Sequence, residues 1–476
     1  MSERKLSGYG MTAAVGVTLL AGLFLFAGAA RAQEREREKI SAGSSLTLGQ
    51  AVRMALDKNP ALRTAEDESD AARARARQAR AMWLPRVDFS QGFSRGDNPV
   101  YVFGTLLTQG RFTAANFALP GLNQPGPLNN HQTRLDTQWG VFDSGATLFR
   151  TRAAKRMQTA AELETEQARQ DLILRVVQAY YGVEVARENH AAAAEAVRAA
   201  EASAQRLAGM HETGMVVESD YLGAKVFLAR MKDREIRARN GYELSRMGLA
   251  RETGMALNAG PEPGETLGEP AGMEKKSAED WERIAEENRP ALRAMRMQEE
   301  AAAAGKKAAR SELGPKAGLF GGYERDALTM GGTAGTNWVA GARVEINLFA
   351  GGADRARMAE AAANASKAQH NLEWMRSGVM LEVRQSFLVA EAAEQRAAAA
   401  RDAVAQSRVG LRIVQNRYEA GLTSLTDLLR AHTAQLDAQT GYLAALHDWH
   451  VARAQLERSA GILKVDSQLL QGEKKQ

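Results

Sequence analysis

Two histidines carry the clearest capacity for chemistry in this sequence. His447 and His450 are three residues apart on one helical face, with Asp448 between them. Imidazole and carboxylate groups at such spacing can bind zinc or another transition metal. The chain has 7 histidines scattered along its length and no cysteine, so no thiolate completes a ligand set. We therefore predict no metal site and no cofactor, and a metal-binding enzyme is the third of three hypotheses.

Other catalytic patterns are incomplete. His211 and Glu212 begin like the helix of a metalloprotease, but no second histidine follows at the required spacing. Gly351 and Gly352 lack the lysine and hydroxyl residue that follow the glycines of a phosphate-binding loop. No catalytic residue is predicted, and the chain is not expected to be an enzyme.

Long helices must position most of these residues. The composition has 6% aromatic residues and is rich in Ala, Arg and Glu, which favours helices over a compact sandwich. The pattern predicts two long antiparallel helical hairpins at 146–254 and 353–460, interrupted by Gly214 and Gly421. A helix of about 65 residues is about 97 Å long, so it predicts a coiled-coil-like assembly.

The chain contains this unit twice. Residues 142–254 align without a gap on residues 349–461 at an offset of 207, whereas the segment after Pro60 aligns on the segment after Pro290 at an offset of 230. Such a gap-free register predicts one rigid unit that has been duplicated. The offsets differ by 23 residues, which places an insertion of that length in the first copy, within a predicted long loop at 96–131.

The predicted organisation follows from these repeats. It comprises a signal peptide at 1–32, a leader at 33–45, repeat 1 at 46–254, a linker at 255–277, repeat 2 at 278–461 and a polar tail at 462–476. Each repeat is expected to hold a helix, a β-hairpin (86–142 or 316–349) and one of the long helical hairpins.

The first residues are typical of an export signal. Arg4 and Lys5 precede an apolar core, and Ala30-Arg31-Ala32 forms a small-x-small cleavage site, so the mature chain is expected to start near Gln33. A transmembrane anchor is the alternative, but the core is shorter than the roughly 20 residues of a span. The leader alternates Glu with Arg and the formal net charge is only +5, so no nucleic-acid partner is predicted.

Four segments of about 10 residues alternate between apolar and polar side chains, which is the pattern and length of tilted strands that cross a bilayer. The residues predicted to face lipid are Val87, Phe89, Trp139, Trp338, Val344 and Ile346. A soluble sheet covered by helices is the alternative. Because four strands cannot close a barrel and open edges are costly in hydrocarbon, a membrane sheet must be shared between chains.

Several motifs occur in one order along this double repeat. They are Asn59-Pro60-Ala61-Leu62, Trp83-Leu84-Pro85, Phe142-Asp143-Ser144-Gly145, Gly214-Met215-Val216, Leu348-Phe349-Ala350-Gly351-Gly352 and Gly421-Leu422-Thr423. In these features the chain resembles the outer-membrane efflux protein family, the TolC-like channels. The resemblance covers nearly the whole predicted mature chain.

The resemblance implies an α+β membrane protein that forms a homotrimer. Four strands from each chain would build a twelve-stranded transmembrane β-barrel that continues into a helical tube, the α-barrel, in the periplasm. It also implies a passive exit duct in the outer membrane of a Gram-negative bacterium. The implied partners are outer-membrane lipid, a periplasmic adaptor (membrane fusion protein) and an inner-membrane transporter of the RND, ABC or MFS type, in efflux or type I secretion.

The resemblance further implies that the helix turns form the periplasmic tip. The expected adaptor-docking residues are Gly214, Met215, Val216, Gly421, Leu422 and Thr423, and the expected gate residues are Asp220, Tyr418, Thr423, Asp427 and Arg430. Asp427 repeated around a trimer would place three carboxylates at a narrow mouth. Thr423 and Arg430 depart from the ionic latch and second acidic residue of the best-known member.

Simpler roles are open for the same residues. Asp220 and Asp427 are alternatively carboxylates near the positive end of a helix dipole, Tyr418 a packing residue, and Gly214 and Gly421 turn residues with positive φ. The second functional hypothesis is a periplasmic coiled-coil structural or adaptor protein without a pore.

Overall fold

The computed structural model describes residues 46–264, 267–269 and 276–467. The predicted signal peptide and leader lie outside the described residues, as do parts of the predicted linker and tail. In chain order the first half contains α1 (Leu48–Lys58), α2 (Pro60–Ala81), β1 (Arg86–Gly96), α3 (Pro99–Thr108), α4 (Leu119–Asn123), β2 (Leu128–Phe142), α5 (Ala146–Glu212) and α6 (Glu218–Glu252). The second half contains α7 (Ala278–Asn288), α8 (Pro290–Ser311), β3 (Lys316–Ala327), β4 (Ala334–Glu345), α9 (Ala353–Glu419) and α10 (Leu425–Ser459).

Proline restarts the helix in each half. Asn59 and Arg289 are extended, and Pro60 and Pro290 occupy the first turn of α2 and α8. Proline has no N–H to leave unpaired at that position, and its φ is already helical. The helices on either side of the two restarts have matching lengths, 11 residues for α1 and α7 and 22 for α2 and α8.

The long helices also match in length and lie side by side. Both α5 and α9 have 67 residues, and both α6 and α10 have 35. Near the sheet the lateral order is α2, α5, α8, α9, and towards the helix turns it is α6, α5, α10, α9. Helix α9 therefore forms one edge of this layer over its whole length, and α2 and α6 together form the other.

The strands form one antiparallel sheet in the order β1-β2-β3-β4. Directly opposed residues include Phe89 with Leu135, and Tyr323 with Trp338. Since opposed residues share a face and successive residues alternate, the register gives the sheet one apolar and one polar face. The polar face carries Asp88, Arg134, Asp136, Glu324 and Arg343.

The connection between β1 and β2 differs from the predicted long loop. It contains α3, a 3₁₀ turn at Ala114–Phe117 and α4. Asn98 accepts hydrogen bonds from the N–H groups of Val100 and Tyr101, and Pro99 occupies the first helical turn, so the start of α3 is capped locally. The four prolines of the tract favoured a loop, although its apolar run at residues 100–107 forms this helix.

The second hairpin ends earlier than predicted, because β4 ends at Glu345 and not near Phe349. The chain end also differs from the predicted polar tail over its described part. Leu463 is fully buried in a core around Tyr180 and Leu172, and Ile462 packs against a second core around Trp449. These apolar side chains hold residues 462–467 against the helices.

Candidate functional site

The apolar face of the sheet is exposed at the residues predicted to face lipid. Trp338 is 79% exposed and Val344 75%, and Val87, Phe89 and Trp139 are exposed on the same face. Ile346 lies one residue beyond β4 and is also exposed. A contiguous apolar surface of this kind is a site for lipid or protein contact, because water solvates it poorly.

The two edges of the sheet are open in the single chain. Among the described residues β1 pairs only with β2, and β4 pairs only with β3. Unpaired backbone N–H and C=O groups on such edges are templates for another strand. Within the described ranges no helix is both long and apolar enough to span a membrane.

The far ends of the helical hairpins have the same backbone geometry. Gly214 and Gly421 both have φ 71°. The N–H of Met215 donates to Met210 O and the N–H of Leu422 donates to Arg417 O, each at 2.8 Å. This hydrogen-bonding pattern is a Schellman turn, in which a left-handed glycine ends the helix and satisfies its last carbonyls. The sequence prediction of turns at both glycines agrees with this geometry.

The two turns pack together through a small apolar cluster, the tip cluster, formed by Ala204, Leu207, Ala224, Leu425 and Leu428. Val216 and Tyr418 pack against it. Met215 and Leu422 are each 67% exposed, and so is most of Val217, which the sequence analysis did not select. Only the exposed side chains remain accessible to a partner. Val216 and Val217 are adjacent and identical in type, so the sequence alone could not show that Val217 is the more exposed of the two.

Asp427 is engaged at the start of α10. Its carboxylate accepts hydrogen bonds from the hydroxyls of Ser424 at 2.7 Å and Thr423 at 3.0 Å, and Ser424 Oγ accepts from the Asp427 N–H at 3.2 Å. The hydrogen bond from Ser424 lowers the pKa of Asp427 most, and the hydrogen bond from Thr423 and the positive charge of the nearby Arg430 lower it further. Within one chain the arrangement is a helix cap with a permanent negative charge at neutral pH.

Tyr418 and Asp220 belong to different hairpins. Burial raises the pKa of the Tyr418 hydroxyl, and the negative charge of Asp220 raises it further. Arg206 and Glu419 form an exposed ion pair across the same boundary at 3.7 Å. The five predicted gate residues thus fall into two local groups, one at the start of α10 and one between the hairpins.

Sequence reasoning missed a polar junction where the second half begins. Arg289 is 3% exposed, and its guanidinium donates to Glu382 Oε2 at 2.9 Å and to the carbonyl of Arg458. Arg458 also pairs with Glu382, and its Nε donates to Asp171 at 2.7 Å. Burial lowers the pKa of Arg289, and the neighbouring Arg458 lowers it further. The only sequence signal was that Arg458 has a counterpart, Arg251, 207 positions earlier at the end of the first predicted repeat.

His450 is not arranged as a metal ligand. Its ring stacks on Tyr181 at 4.2 Å between centroids, and Nε2 lies 3.3 Å from Gly268 O. Burial lowers the pKa of His450 to about 4. In the parts of the chain that the structure describes, no group of three or more His, Asp or Glu residues could hold a metal ion.

A family model for the outer membrane efflux protein matches the chain twice, over residues 51–255 and 281–462. The chain belongs to the outer membrane efflux protein family. The two matched segments together cover most of its length, and each contains one β-hairpin and one long helical hairpin.

Individual relatives agree with this membership. Protein CyaE of Bordetella pertussis is 28% identical over 399 residues, which cover 83% of this chain and 79% of that protein. The alkaline protease secretion protein AprF of Pseudomonas aeruginosa is 23% identical over 86% of this chain and 83% of its own length. The Campylobacter jejuni CmeC outer membrane channel has the same fold, with a TM-score of 0.75, 19% identity and 90% of each chain covered.

Membership of the outer membrane efflux protein family decides between the first two functional hypotheses. The chain is an outer-membrane channel for efflux or secretion that extends into the periplasm, and not an adaptor without a pore. The family is one of channels and not of enzymes. Membership also implies that the channel works with a periplasmic adaptor and an inner-membrane pump.

Proposed function

We propose that three copies of this chain form one continuous exit duct. Each copy contributes four strands to a shared twelve-stranded barrel and two helical hairpins to a periplasmic tube. The observation that carries this proposal is the sheet itself, which combines an exposed apolar face with two open edges. In hydrocarbon each unpaired backbone group costs several kcal/mol, so β1 of one copy must pair with β4 of the next.

The helical layer supports the same assembly. Its edge helix α9 exposes Trp374, Leu381 and Leu388, which are seven residues apart and 82%, 69% and 57% exposed. The opposite edge helix α6 exposes Leu222 and Ile236. A spacing of seven residues keeps side chains on one seam of a coiled coil. In a ring, α9 of one copy would lie against the edge that α2 and α6 form in its neighbour, so the exposed apolar side chains of both edges would become buried.

We further propose that the chain is two structural repeats related by duplication. The matched lengths of α1 and α7, α2 and α8, α5 and α9, and α6 and α10 support this interpretation, as does the double match of the family model. Six hairpins around a threefold axis would then be nearly equivalent, although they form two different sets of three identical hairpins. This explains how four strands and four long helices per chain fit one tube.

In the assembled duct the periplasmic tip would receive the adaptor, and Met215 and Leu422 are the apolar side chains that project there. Asp427, repeated three times, would place negative charge around the entrance. Its local hydrogen bonds fix the carboxylate at the start of α10 and keep it ionised. The duct would conduct its cargo passively from an inner-membrane transporter of the RND, ABC or MFS type.

Polypeptide secretion is one candidate for the cargo. AprF, which matches this chain over most of both lengths, is by name a protein for secretion of an alkaline protease. Small-molecule efflux is the other candidate, because the family name and the CmeC-type fold are common to both uses. Co-purification of the channel with its pump, followed by identification of the pump class, distinguishes the two.

The proposed assembly is tested with one pair of substitutions in neighbouring residues of β4. Trp338→Arg places a charge on the apolar face, at a cost of roughly 2–4 kcal/mol per chain in lipid, and should abolish trimers in the outer-membrane fraction. Val339→Arg is the matched control, since Val339 lies on the polar face. Heat-sensitive trimer bands and ion conductance in planar bilayers are the readouts. Equal loss of trimers in both variants, or recovery of the wild type only as a soluble monomer, contradicts the proposal.

A further inference from the structure

The connection between β1 and β2, residues 97–127, is an ordered insert that is fastened to the strands. The Tyr101 hydroxyl lies 2.8 Å from Ser94 Oγ. Gln109, only 2% exposed, donates from Nε2 to Asn129 O at 2.8 Å and to Asn130 Oδ1 at 2.9 Å. Buried, satisfied polar side chains of this kind fix one orientation, because any other would leave them unpaired.

All these anchors lie on the polar face of the sheet. Asn130 donates to the buried Asp326 at 2.6 Å, and Asp326 is opposed by Gly335 across the β3–β4 ladder. The carbonyl of Thr108, at the end of α3, occupies the space that a side chain at Gly335 would need. The insert therefore folds over the face that carries Asp136, Glu324 and Arg343, away from the apolar face of Trp338 and Val344.

The insert presents apolar side chains on its outer surface. Val102 and Thr105 in α3, and Gln109 just after it, are buried on the side of the helix that faces the sheet. Val100 and Leu107, which are seven residues apart, lie on the opposite side of the helix and are 81% and 51% exposed. Phe117 and Leu119 in the following turn are 65% and 72% exposed. Nothing among the described residues of the same chain covers this surface.

We propose that the insert is an inward-folded gate at the outer mouth of the duct, in which three copies meet around the threefold axis through Val100 and Leu107. The inference rests on the trimeric barrel proposed above, in which the polar face of each sheet lines the interior. Lipid faces the other side of the sheet, so the chemical partner for this apolar surface is the same surface on the other two copies.

The dimensions are suited to such a closure. Twelve strands spaced about 4.8 Å apart and tilted by about 40° form a circle roughly 24 Å across between strand backbones, and the inward side chains narrow the free opening further. Three helices of about 10 Å diameter that touch one another span about 22 Å. Three inserts are therefore large enough to fill most of the opening, and apolar side chains around the axis would restrict the passage of water and ions. The other hairpin, closed by residues 328–333, is too short to contribute.

The first experiment removes the gate and keeps the strands. Residues 97–127 are replaced by the sequence of residues 328–333, which already closes the equivalent β3–β4 hairpin in this chain. We expect heat-sensitive trimers to persist and single-channel conductance in planar bilayers to rise about twofold or more. Trimers with unchanged conductance would overturn the gate and leave the proposed assembly intact.

The second experiment keeps the insert, in case the shortened chain does not assemble. Because the chain contains no cysteine, Val100→Cys introduces a single thiol per copy. Oxidation of intact trimers should link two copies into a covalent dimer on denaturing gels and leave the third unlinked. Phe93→Cys is the matched control, since Phe93 lies on the apolar face of β1 and is 61% exposed.

The outcomes separate the two proposals. Cross-linking at residue 100 and not at residue 93 supports the gate. Equal or absent cross-linking in assembled trimers overturns it, because the inserts then do not meet at the axis. A wild-type protein that gives no heat-sensitive trimer and no conductance overturns the proposed duct, and the gate with it.

Discussion

In each half of the chain, the helix restart at Pro60 or Pro290 is joined to the end of the returning long helix. The two junctions use different side chains. At the first junction Asn59 is 6% exposed and donates to the carbonyl of Glu252 at 2.8 Å, where α6 ends. At the second, Arg289 is 3% exposed and donates to the carbonyl of Arg458, where α10 ends. Both side chains tie the helix restart to the last turn of the returning helix. What is shared is the bond to a helix-end carbonyl, which would otherwise lack a partner.

The difference between Asn59 and Arg289 affects how each junction is stabilised. Asn59 also caps α2, because its Oδ1 accepts from the N–H of Ala61 at 2.9 Å. Arg289 cannot cap α8, but its guanidinium adds the ion pair with Glu382, which reaches the long helix α9. The first junction is thus stabilised locally, and the second depends on charges brought from three separate helices. The comparison teaches that the two halves keep the same backbone geometry more strictly than the same side chains.

The strongest test of the shared backbone concerns the glycines beside the two junctions. Gly254 and Gly461 have φ 70° and 76°, and a Cβ on either would press against the junction backbone, at 3.0 Å from Lys58 O and 2.6 Å from Arg289 Cα. Gly254→Ala and Gly461→Ala should each lower the free energy of unfolding by about 2–4 kcal/mol, from left-handed strain plus steric overlap.

The control for these glycines is Gly441→Ala in α10, where nothing lies within 4 Å. This change should stabilise by about 0.5–1 kcal/mol, because alanine is the better helix former. Denaturant unfolding of detergent-solubilised protein measures all three. If Gly254→Ala and Gly461→Ala behave like the control, the two junctions are not under the same backbone constraint.

The next test separates the two junctions. Arg289→Ala removes a buried hydrogen bond to a carbonyl and one partner of Glu382, and should cost about 2–3 kcal/mol of unfolding free energy. Asn59→Ala removes a cap and one carbonyl bond and should cost about 1–2 kcal/mol. The double variant should be additive within about 0.5 kcal/mol, since the sites share no partner. A smaller cost for Arg289→Ala than for Asn59→Ala would reverse the proposed contrast.

The two halves should also differ in how their stability depends on pH, because the second half buries His450. Residue 450 corresponds to Glu243 in the first half, which is exposed and pairs with Arg246 at 3.3 Å. Burial lowers the pKa of His450 to about 4, so between that pH and about 6.5 the unfolded chain binds a proton that the folded chain does not. Its contribution to stability is therefore complete above about pH 6.5 and is lost as the pH falls towards about 4.

Between pH 7 and pH 5 this linkage amounts to at most about 2 kcal/mol. His450→Phe, which keeps a ring against Tyr181, should flatten the dependence of the unfolding midpoint over this interval. Glu243→Gln is the control and should leave the slope of the wild type. An unchanged slope in His450→Phe would assign the acid sensitivity to other groups.

The smallest expected effect contrasts the two tips. Ser424 caps α10 with its side chain, whereas Val217 at the equivalent place before α6 provides no side-chain cap. Ser424→Ala should destabilise the second hairpin by about 1 kcal/mol, and Val217→Ala by much less. Hydrogen exchange at the first amides of α6 and α10 reports this locally. Equal exchange in both variants would mean that packing in the tip cluster, and not capping, holds the turns.

Local regularities of the sequence determined much of this architecture. Period-two alternation located the four strands and their apolar faces, and glycine and proline located the helix turns and restarts. Gly421 predicted its turn because a left-handed residue must end the helix there. The channel hypothesis also came from the sequence, through the resemblance to the outer-membrane efflux protein family that the order of these motifs carries.

Only the tertiary structure decided which distant residues meet. Arg289 from the α7–α8 junction meets Glu382 of α9, and Arg458 links both to Asp171 of α5, although no periodicity relates these positions. The orientation of the insert likewise depends on Asn130 and Asp326, which lie almost two hundred residues apart. Periodicity reports which side of an element is apolar, but not which element covers it. That choice is made by packing and by the pairing of buried polar groups.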